Sequence, residues 1–202
     1  MKKLLIFLLL QSTVICAQPN LEDIYQKSKK HTLNGMIAFN SWTFSNILAN
    51  SIAFYQTSNE TKYFCEMNVF FNIINAGIGV PGLIAAIKNH KKNEQVDFER
   101  SFKSIQQLKT IYLVNAVLDI SYVTSGFLLR EMAKNQANNM DRFNGYGNSL
   151  IMQGAFLLIY DFVMFGIHQA NGKKLDEFWK RVKLSPLGPE NQLGLSIRYS
   201  LQ

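Results

Sequence analysis

The sequence predicts an all-α membrane protein: a four-transmembrane-helix bundle with a polar core, followed by an interfacial helix and a short C-terminal strand. Three observations carry that reading. Only 17% of the 202 residues are charged, below the quarter or so usual in soluble domains. These charges collect in short stretches and leave four segments of membrane-spanning length nearly free of Lys and Arg. Within those segments polar residues recur at helical spacing, so each helix presents one polar face.

The N-terminus has the form of a secretory signal peptide. Lys2 and Lys3, the apolar run 4–10 and the small Ala17 after Cys16 give residues 1–17 that pattern, with cleavage after Ala17. The apolar run is too short to cross a bilayer, which takes about 20 residues. Ile15 is the wrong size for the residue before a lipidated cysteine, so Cys16 does not read as a lipoprotein site. Once Cys16 is removed, Cys65 has no partner for an intramolecular disulfide. A polar lead follows over 18–32.

The transmembrane domain is expected over 33–169. Its first segment, 33–55, carries Asn34, Asn40, Asn46 and Asn50 and is the most polar of the four. The second, 64–87, contains Gly77, Gly79, Pro81 and Gly82, and a kink is expected at Pro81 because proline removes a backbone donor. The third and fourth are 105–129 and 149–168, each long enough for a helix that needs about 20 residues to cross. The short connector 56–62 makes the first two helices antiparallel neighbours. Phe98, Phe102, Ile105 and Leu108 fall at helical spacing, so the third helix begins before the membrane. Gly145-Tyr146-Gly147 reads as a turn ahead of the last span.

The tail, 170–202, divides in two. Over 173–184, Leu175, Phe178, Trp179 and Val182 form an apolar stripe, with Lys173, Lys174, Lys180 and Arg181 elsewhere on the helix. That is the pattern of a helix lying in the membrane interface beside anionic headgroups. After a turn at 186–189, Leu193, Leu195, Ile197, Tyr199 and Leu201 alternate with polar residues as one amphipathic strand folded back on the domain. No other segment alternates this way, and one strand cannot make a barrel.

Any chemistry rests with side chains that do not belong in lipid. Asn68, Asn72 and Asn75 share one face of the second helix, and Trp42, Asn46 and Asn50 one face of the first. Asn115 and Asp119 are one turn apart on the third, with Tyr122 and Gly126 continuing the stripe, and Gln153 and Asp161 align on the fourth. Exposing such groups to acyl chains is costly, roughly 2.5–3.5 kcal/mol for Asp at mid-membrane. The four stripes are therefore expected to turn inward, with Gly126 and Gly154 allowing close helix approach. The candidate ligand-binding residues are thus Asn46, Asn50, Asn68, Asn72, Asn75, Asn115, Asp119, Gln153 and Asp161.

Three uses of that core stand open. It can be structural glue, a binding cavity or proton-linked site using Asp119 and Asp161, or a catalytic acid–base pair. The expectation is a non-enzymatic module binding a small polar ligand, a lipid headgroup or a membrane protein partner. The alternative is a proton- or ion-coupled small-solute carrier. The sequence has no serine nucleophile motif, no phosphate-cradling glycine loop and no histidine pair at metal spacing, so no cofactor or metal is expected. His31, His90 and His168 fall at segment ends or in loops, where a solvated histidine is ordinary. The formal net charge of +7 comes from cations flanking apolar segments, which points to headgroup phosphates rather than nucleic acid.

The spaced residues also carry a family resemblance. Met36, Trp42, Asn46, Tyr63-Phe64, Met67-Asn68, Asn72 and Asn75 form its first half. Asn115, Asp119, Tyr122, Gly126, Gly145-Tyr146-Gly147, Gln153-Gly154 and Asp161 form its second. Over 35–164 the chain resembles a Bacteroidetes family of small four-helix membrane proteins whose function is unknown. The resemblance implies four helices and supplies no activity. It also implies a histidine where this chain has Cys65, which argues against a metal at that position.

Orientation is contested by the charges. A cleaved signal and four spans put Lys88, Lys91, Lys92, Arg100 and Lys103 outside together with the tail cations, leaving Lys62, Arg130, Lys134 and Arg142 inside. That inverts the positive-inside rule. Three crossings, with 33–55 outside the membrane, would restore it; delivery to the outer membrane would remove its force. The inner membrane with four spans is the expectation, because segment length, the short first connector and the polar stripe agree.

Overall fold

A computed structural model describes residues 21–92, 98–187 and 194–199. The expected signal peptide, 1–17, lies outside the described residues, as does much of the expected turn at 186–189. Helix α1 spans Leu21–Gln56, α2 Asn59–Lys91, α3 Phe98–Ala133 and α4 Met140–Arg181, with a 3-10 turn at Ala137–Asn139 before α4. Each first turn carries an acid (Glu22 and Asp23, Glu60, Glu99, Asp141), and α2 ends on Lys88, His90 and Lys91. That placement suits the helix dipoles. Most of the polar lead is therefore helical and continuous with the first apolar segment.

Only residues 57 and 58 separate α1 from α2, and Asn59 takes the left-handed backbone (φ 52°) that closes the turn. The two helices run antiparallel in register. Lys62 sits over Phe54, Gly79 lies against Phe39 and Asn40, and Gly82 against Met36. Helix α2 continues through Pro81, and the Asn40 amide donates to the Gly79 carbonyl two residues before it (3.0 Å).

Helix α4 is the centre of the assembly. It packs along α3, shares long faces with α2 and touches α1, whereas α1 and α3 scarcely meet. Glycines set its closest approach. A Cβ on Gly126 would fall 2.6 Å from the Gly147 carbonyl, and one on Gly154 would fall 3.0 Å from the Val123 nitrogen. Gly145-Tyr146-Gly147 is thus no turn: it lies within α4, and Gly145 abuts the Glu60 carbonyl and the Phe64 nitrogen of α2. Only hydrogen fits between these backbones, and that requirement also produces a glycine pair.

The burial pattern is the reverse of a soluble bundle. Asn68, Asn72, Ser149, Gln153, His168, Asp119 and Asp161 are buried, while Leu48, Ile78, Val117, Leu128 and Ile159 are more than half exposed. Water penalises such an arrangement and acyl chains favour it. Helices α2, α3 and α4 contain stretches long and apolar enough to cross a membrane, consistent with a membrane location. Helix α1 does not join them, because its asparagines, serines and threonines lower its mean hydropathy. The four predicted spans therefore become three by length and composition.

The tail also departs from expectation. The segment predicted to lie in the interface is the last stretch of α4, which ends at Arg181. Leu175 of its apolar stripe is buried against Ile24 of α1 and Ile105 of α3, with Leu21 and Phe102 alongside; the side chains of the rest of the stripe lie outside the described residues. Beyond it, β1 (Val182–Leu187) pairs antiparallel with β2 (Gly194–Tyr199). Pro186, expected in a turn, lies inside β1.

Candidate functional site

Five asparagines of α1 and α2 bond first to their own helix. The amides of Asn40, Asn46, Asn50, Asn68 and Asn72 each donate to the carbonyl four residues earlier, at 2.8–3.0 Å. A short amide side chain in a helix reaches that acceptor without leaving its own strand of chain. One donor of each is taken up within its own helix, Asn40 donating to the Gly79 carbonyl as well, and the Oδ1 atoms are left to face neighbours.

Gln153 of α4 uses two of those oxygens. Its amide donates to Asn68 Oδ1 of α2 (2.5 Å) and to Asn46 Oδ1 of α1 (3.3 Å), and its Oε1 accepts from Trp42 Nε1 (3.0 Å). One fully buried side chain thus ties three helices, with all of its donors and its acceptor engaged. The Trp42 ring stacks on Phe156 at 3.9 Å, which holds the indole nitrogen toward Gln153. Asn50 and Asn72 stand beside this knot, bonded to their own helices.

The remaining candidates form a second cluster deeper along α4. Asn75, Asn115, Asp119 and Asp161 line a cavity of about 320 Å3 that all four helices enclose, together with Tyr112 and Tyr160. The carboxyl groups of Asp119 and Asp161 come together across α3 and α4. Asn75 breaks the habit of its neighbours: its Nδ2 has no partner, nor does Asp119 Oδ2, while the hydroxyls of Tyr112 and Tyr160 lie against each other. Buried polar groups are nearly always paired, so two orphans lining one cavity mark it out; Asn40 Oδ1, Thr43 Oγ1, Asn72 Oδ1 and Ser149 Oγ are unpartnered too but line no part of it. Met36, Phe39, Ile78, Ile111, Leu118 and Leu157 supply apolar wall. Ile78, Ile111 and Leu118 are also exposed on the outer surface, so the cavity opens between α2 and α3 toward the apolar exterior.

The candidates therefore form two groups, where one continuous core was expected. The polar-stripe spacing did not single out Tyr112 and Tyr160, which also line the cavity. Sequence reasoning also misplaced His168, which is no solvated end residue. His168 is fully buried inside α4, with Nδ1 3.3 Å from Ser28 Oγ, Nε2 3.5 Å from Thr32 Oγ1, and its ring stacked on Tyr112. The available signal was its spacing, seven residues beyond Asp161 and on the same helix face. Near the other end, Tyr146 donates to Glu66 (3.1 Å) and Asn148 to Glu60 (2.6 Å), pinning α4 to the start of α2. Cys65 is buried there as a free thiol. Among the described residues, no three His, Cys, Asp or Glu side chains gather as a metal cluster.

Comparison with known proteins adds a family. The model of a family of unknown function (DUF6992) matches residues 38–162, a range that holds both the Gln153 knot and the Asp119–Asp161 pair. No curated protein matches the chain, and no solved structure does.

Proposed function

Because the chain belongs to DUF6992, a family that supplies no activity, its function has to come from its own geometry, and we propose that it is a non-enzymatic membrane module binding a small amphiphile. The observation behind this reading is the pair of unpartnered atoms around one cavity, Asn75 Nδ2 and Asp119 Oδ2, with the Tyr112 and Tyr160 hydroxyls beside them. Leaving a buried polar group unsatisfied costs about 1–3 kcal/mol, and a ligand carrying one group that both donates and accepts would recover part of that. A hydroxyl does so, accepting from Asn75 and donating to Asp119. The apolar wall and the opening between α2 and α3 suit an aliphatic body entering from the lipid. The volume is at the lower end of the range for small-molecule sites, about 300–1,000 Å3.

In this reading all four helices cross the membrane. Helix α1 follows α2 closely from Phe54 to Met36, so a crossing α2 carries α1 to the same depth. Its inward face is polar and its outward face bears Ile37, Phe44, Leu48 and Ile52. Lys173 and Lys174, with Lys180 and Arg181, would meet anionic headgroups at that end of the bundle.

The test is photolabelling in nanodiscs with a long-chain alcohol bearing a diazirine. Label should concentrate on the cavity wall at Ile78, Ile111 and Tyr112, and Leu118→Trp, which fills the cavity, should abolish it. Label spread evenly over the outer faces and unmoved by Leu118→Trp would refute the reading. The meeting of Asp119 and Asp161 favours a second reading, a proton-coupled carrier, since carboxyl groups paired inside a membrane bundle are the usual parts of a proton relay. Such a carrier should lose the pH dependence of transport on Asp119→Asn, whereas a binding module should keep its ligand.

A further inference from the structure

The two orphaned atoms of the cavity lie toward one end of it. Its α3 wall runs from Leu108 to Tyr122, about 21 Å at a rise of about 1.5 Å per residue, and Asp119 stands only about 4.5 Å along the helix from the Tyr122 end. On α2, Asn75 is one turn from Phe71, and Phe71 meets Tyr122 edge to face with ring centroids 5.1 Å apart. Phe71 is itself buried against Leu150 and Leu157 of α4, so it backs Tyr122 with a fixed ring. Toward the Leu108 end the polar wall is already engaged. Thr32 Oγ1 donates to the Ser28 carbonyl at 3.0 Å, and the Tyr112 and Tyr160 hydroxyls lie against each other. A polar head therefore belongs at Asn75 and Asp119, under the Phe71–Tyr122 pair.

Depth restricts that head further. Asn75 is at the middle of the apolar segment 64–87, and Asp119 is near the middle of 105–129. With α2 and α3 crossing a hydrocarbon core about 30 Å thick, both groups stand about 15 Å from either surface. A phosphate or ammonium head would have to be carried there charged, which is costly; a hydroxyl would not. We propose that Tyr122, backed by Phe71, is the head filter of this site: it admits an amphiphile whose head is uncharged and about the size of a hydroxyl, and refuses heads built on glycerol or phosphate. The chain of the ligand leaves past Ile78, Ile111 and Leu118, which are exposed at the opening. The proposal rests on the amphiphile reading and adds which amphiphile fits.

The experiment is competition against the diazirine alcohol, with the full chain in nanodiscs and dodecanol, monododecanoylglycerol or dodecyl phosphate added at equal membrane mole fraction. Dodecanol should displace the label about tenfold more effectively than monododecanoylglycerol. Tyr122→Ala makes room beside the head and should narrow that gap to about threefold or less. Dodecyl phosphate should compete poorly in both proteins, because depth excludes it and not the Tyr122 ring. Tyr122→Leu keeps an apolar side chain in place should the alanine variant fail to fold, and it should narrow the gap in the same direction. Phe127→Ala removes an exposed ring from the same helix outside this cavity and should leave the gap as it is. Equal competition by dodecanol and monododecanoylglycerol in the parent, a gap that neither Tyr122 variant moves, or an equal narrowing by Phe127→Ala would overturn the filter. Effective displacement by dodecyl phosphate in the parent would overturn the requirement for an uncharged head. If dodecanol displaces nothing, the amphiphile reading itself fails, an outcome distinct from a filter that lets dodecanol in without discriminating.

Discussion

Gln153 offers the sharpest test of how the bundle is held. Its side chain is fully buried and makes three interhelical hydrogen bonds, to Trp42, Asn46 and Asn68. Gln153→Leu keeps the approximate volume and removes all three. Interhelical side-chain bonds in membrane proteins average about 0.6 kcal/mol, so their loss alone comes to about 2 kcal/mol. The true cost should be somewhat larger, because the Trp42 N–H and the Asn68 oxygen are left buried with reduced alternatives. Steric-trap unfolding in bicelles reads this difference directly. The companion variant Asn68→Leu separates the contributions: if the Gln153–Asn68 contact is real, the double variant should cost less than the sum of the singles by about 0.5–1 kcal/mol. A Gln153→Leu protein as stable as the parent, or more stable, would mean that residue 153 faces lipid, and the reasoning that turns the polar stripes inward would fail with it.

Other expectations follow from the glycines, the thiol and the buried histidine. Gly126→Ala should cost about 1–3 kcal/mol, because its Cβ meets the Gly147 carbonyl at 2.6 Å and backbone must move. Gly166→Ala, with nothing within 4 Å, should be neutral or stabilise by about 0.5–1 kcal/mol through helix propensity; the same unfolding assay ranks the pair, and equal effects would contradict the α3–α4 packing. Cys65 should resist maleimide in the folded protein and react fully after denaturation, since it is buried; rapid reaction without denaturant would place it at the surface instead. His168→Ala should destabilise by about 2–4 kcal/mol through the cavity left against Tyr112 and the loss of Ser28 and Thr32 as partners, while His168→Gln should recover part of this.

Periodicity made the helices legible, and it identified their inward faces before any partner was known. Asn46, Asn68 and Gln153 were chosen by spacing alone and meet in one knot, because a polar group in an apolar segment has few places to go. Spacing carries no information about which acceptor an amide takes. Asn50 and Asn72 answer to carbonyls of their own helices, while Asn75, three residues beyond Asn72, leaves its amide unpartnered in a cavity. Gly145 and Gly147 show the same limit from another side. A glycine pair before an apolar run is consistent with a turn and with helix contact, and only the proximity of Glu60 and Gly126 decides between them. His168 was misread because segment ends were drawn from hydropathy, which stops counting where polar residues return, although the helix itself continues for another turn and more.

That same weakness of hydropathy bears on α1. Mean hydropathy weighs an inward asparagine and an outward one alike, so a helix with a polar inner face has a polar average even when its outer face is Ile37, Phe44, Leu48 and Ile52. Packing supplies what the average discards. Helix α1 is joined to α2 by two residues and stays against it as far as Lys29, which bonds the Lys92 carbonyl. If α2 crosses, a non-crossing α1 would have to leave that whole interface and expose Asn40 and the Gly79 carbonyl. The arrangement also gathers Lys27–Lys30, Lys88–Lys92 and Lys103 at one end, so the sidedness of any one fixes the others whatever the orientation of the bundle. Single cysteines replacing Lys30 and Lys91 in a Cys65→Ser background, labelled in intact cells with a membrane-impermeant thiol reagent, should therefore behave alike, both reacting or both protected until lysis. Opposite behaviour would mean that the chain crosses three times, that α1 lies outside the bilayer, and that the Trp42–Asn46–Gln153 knot does not exist in the membrane.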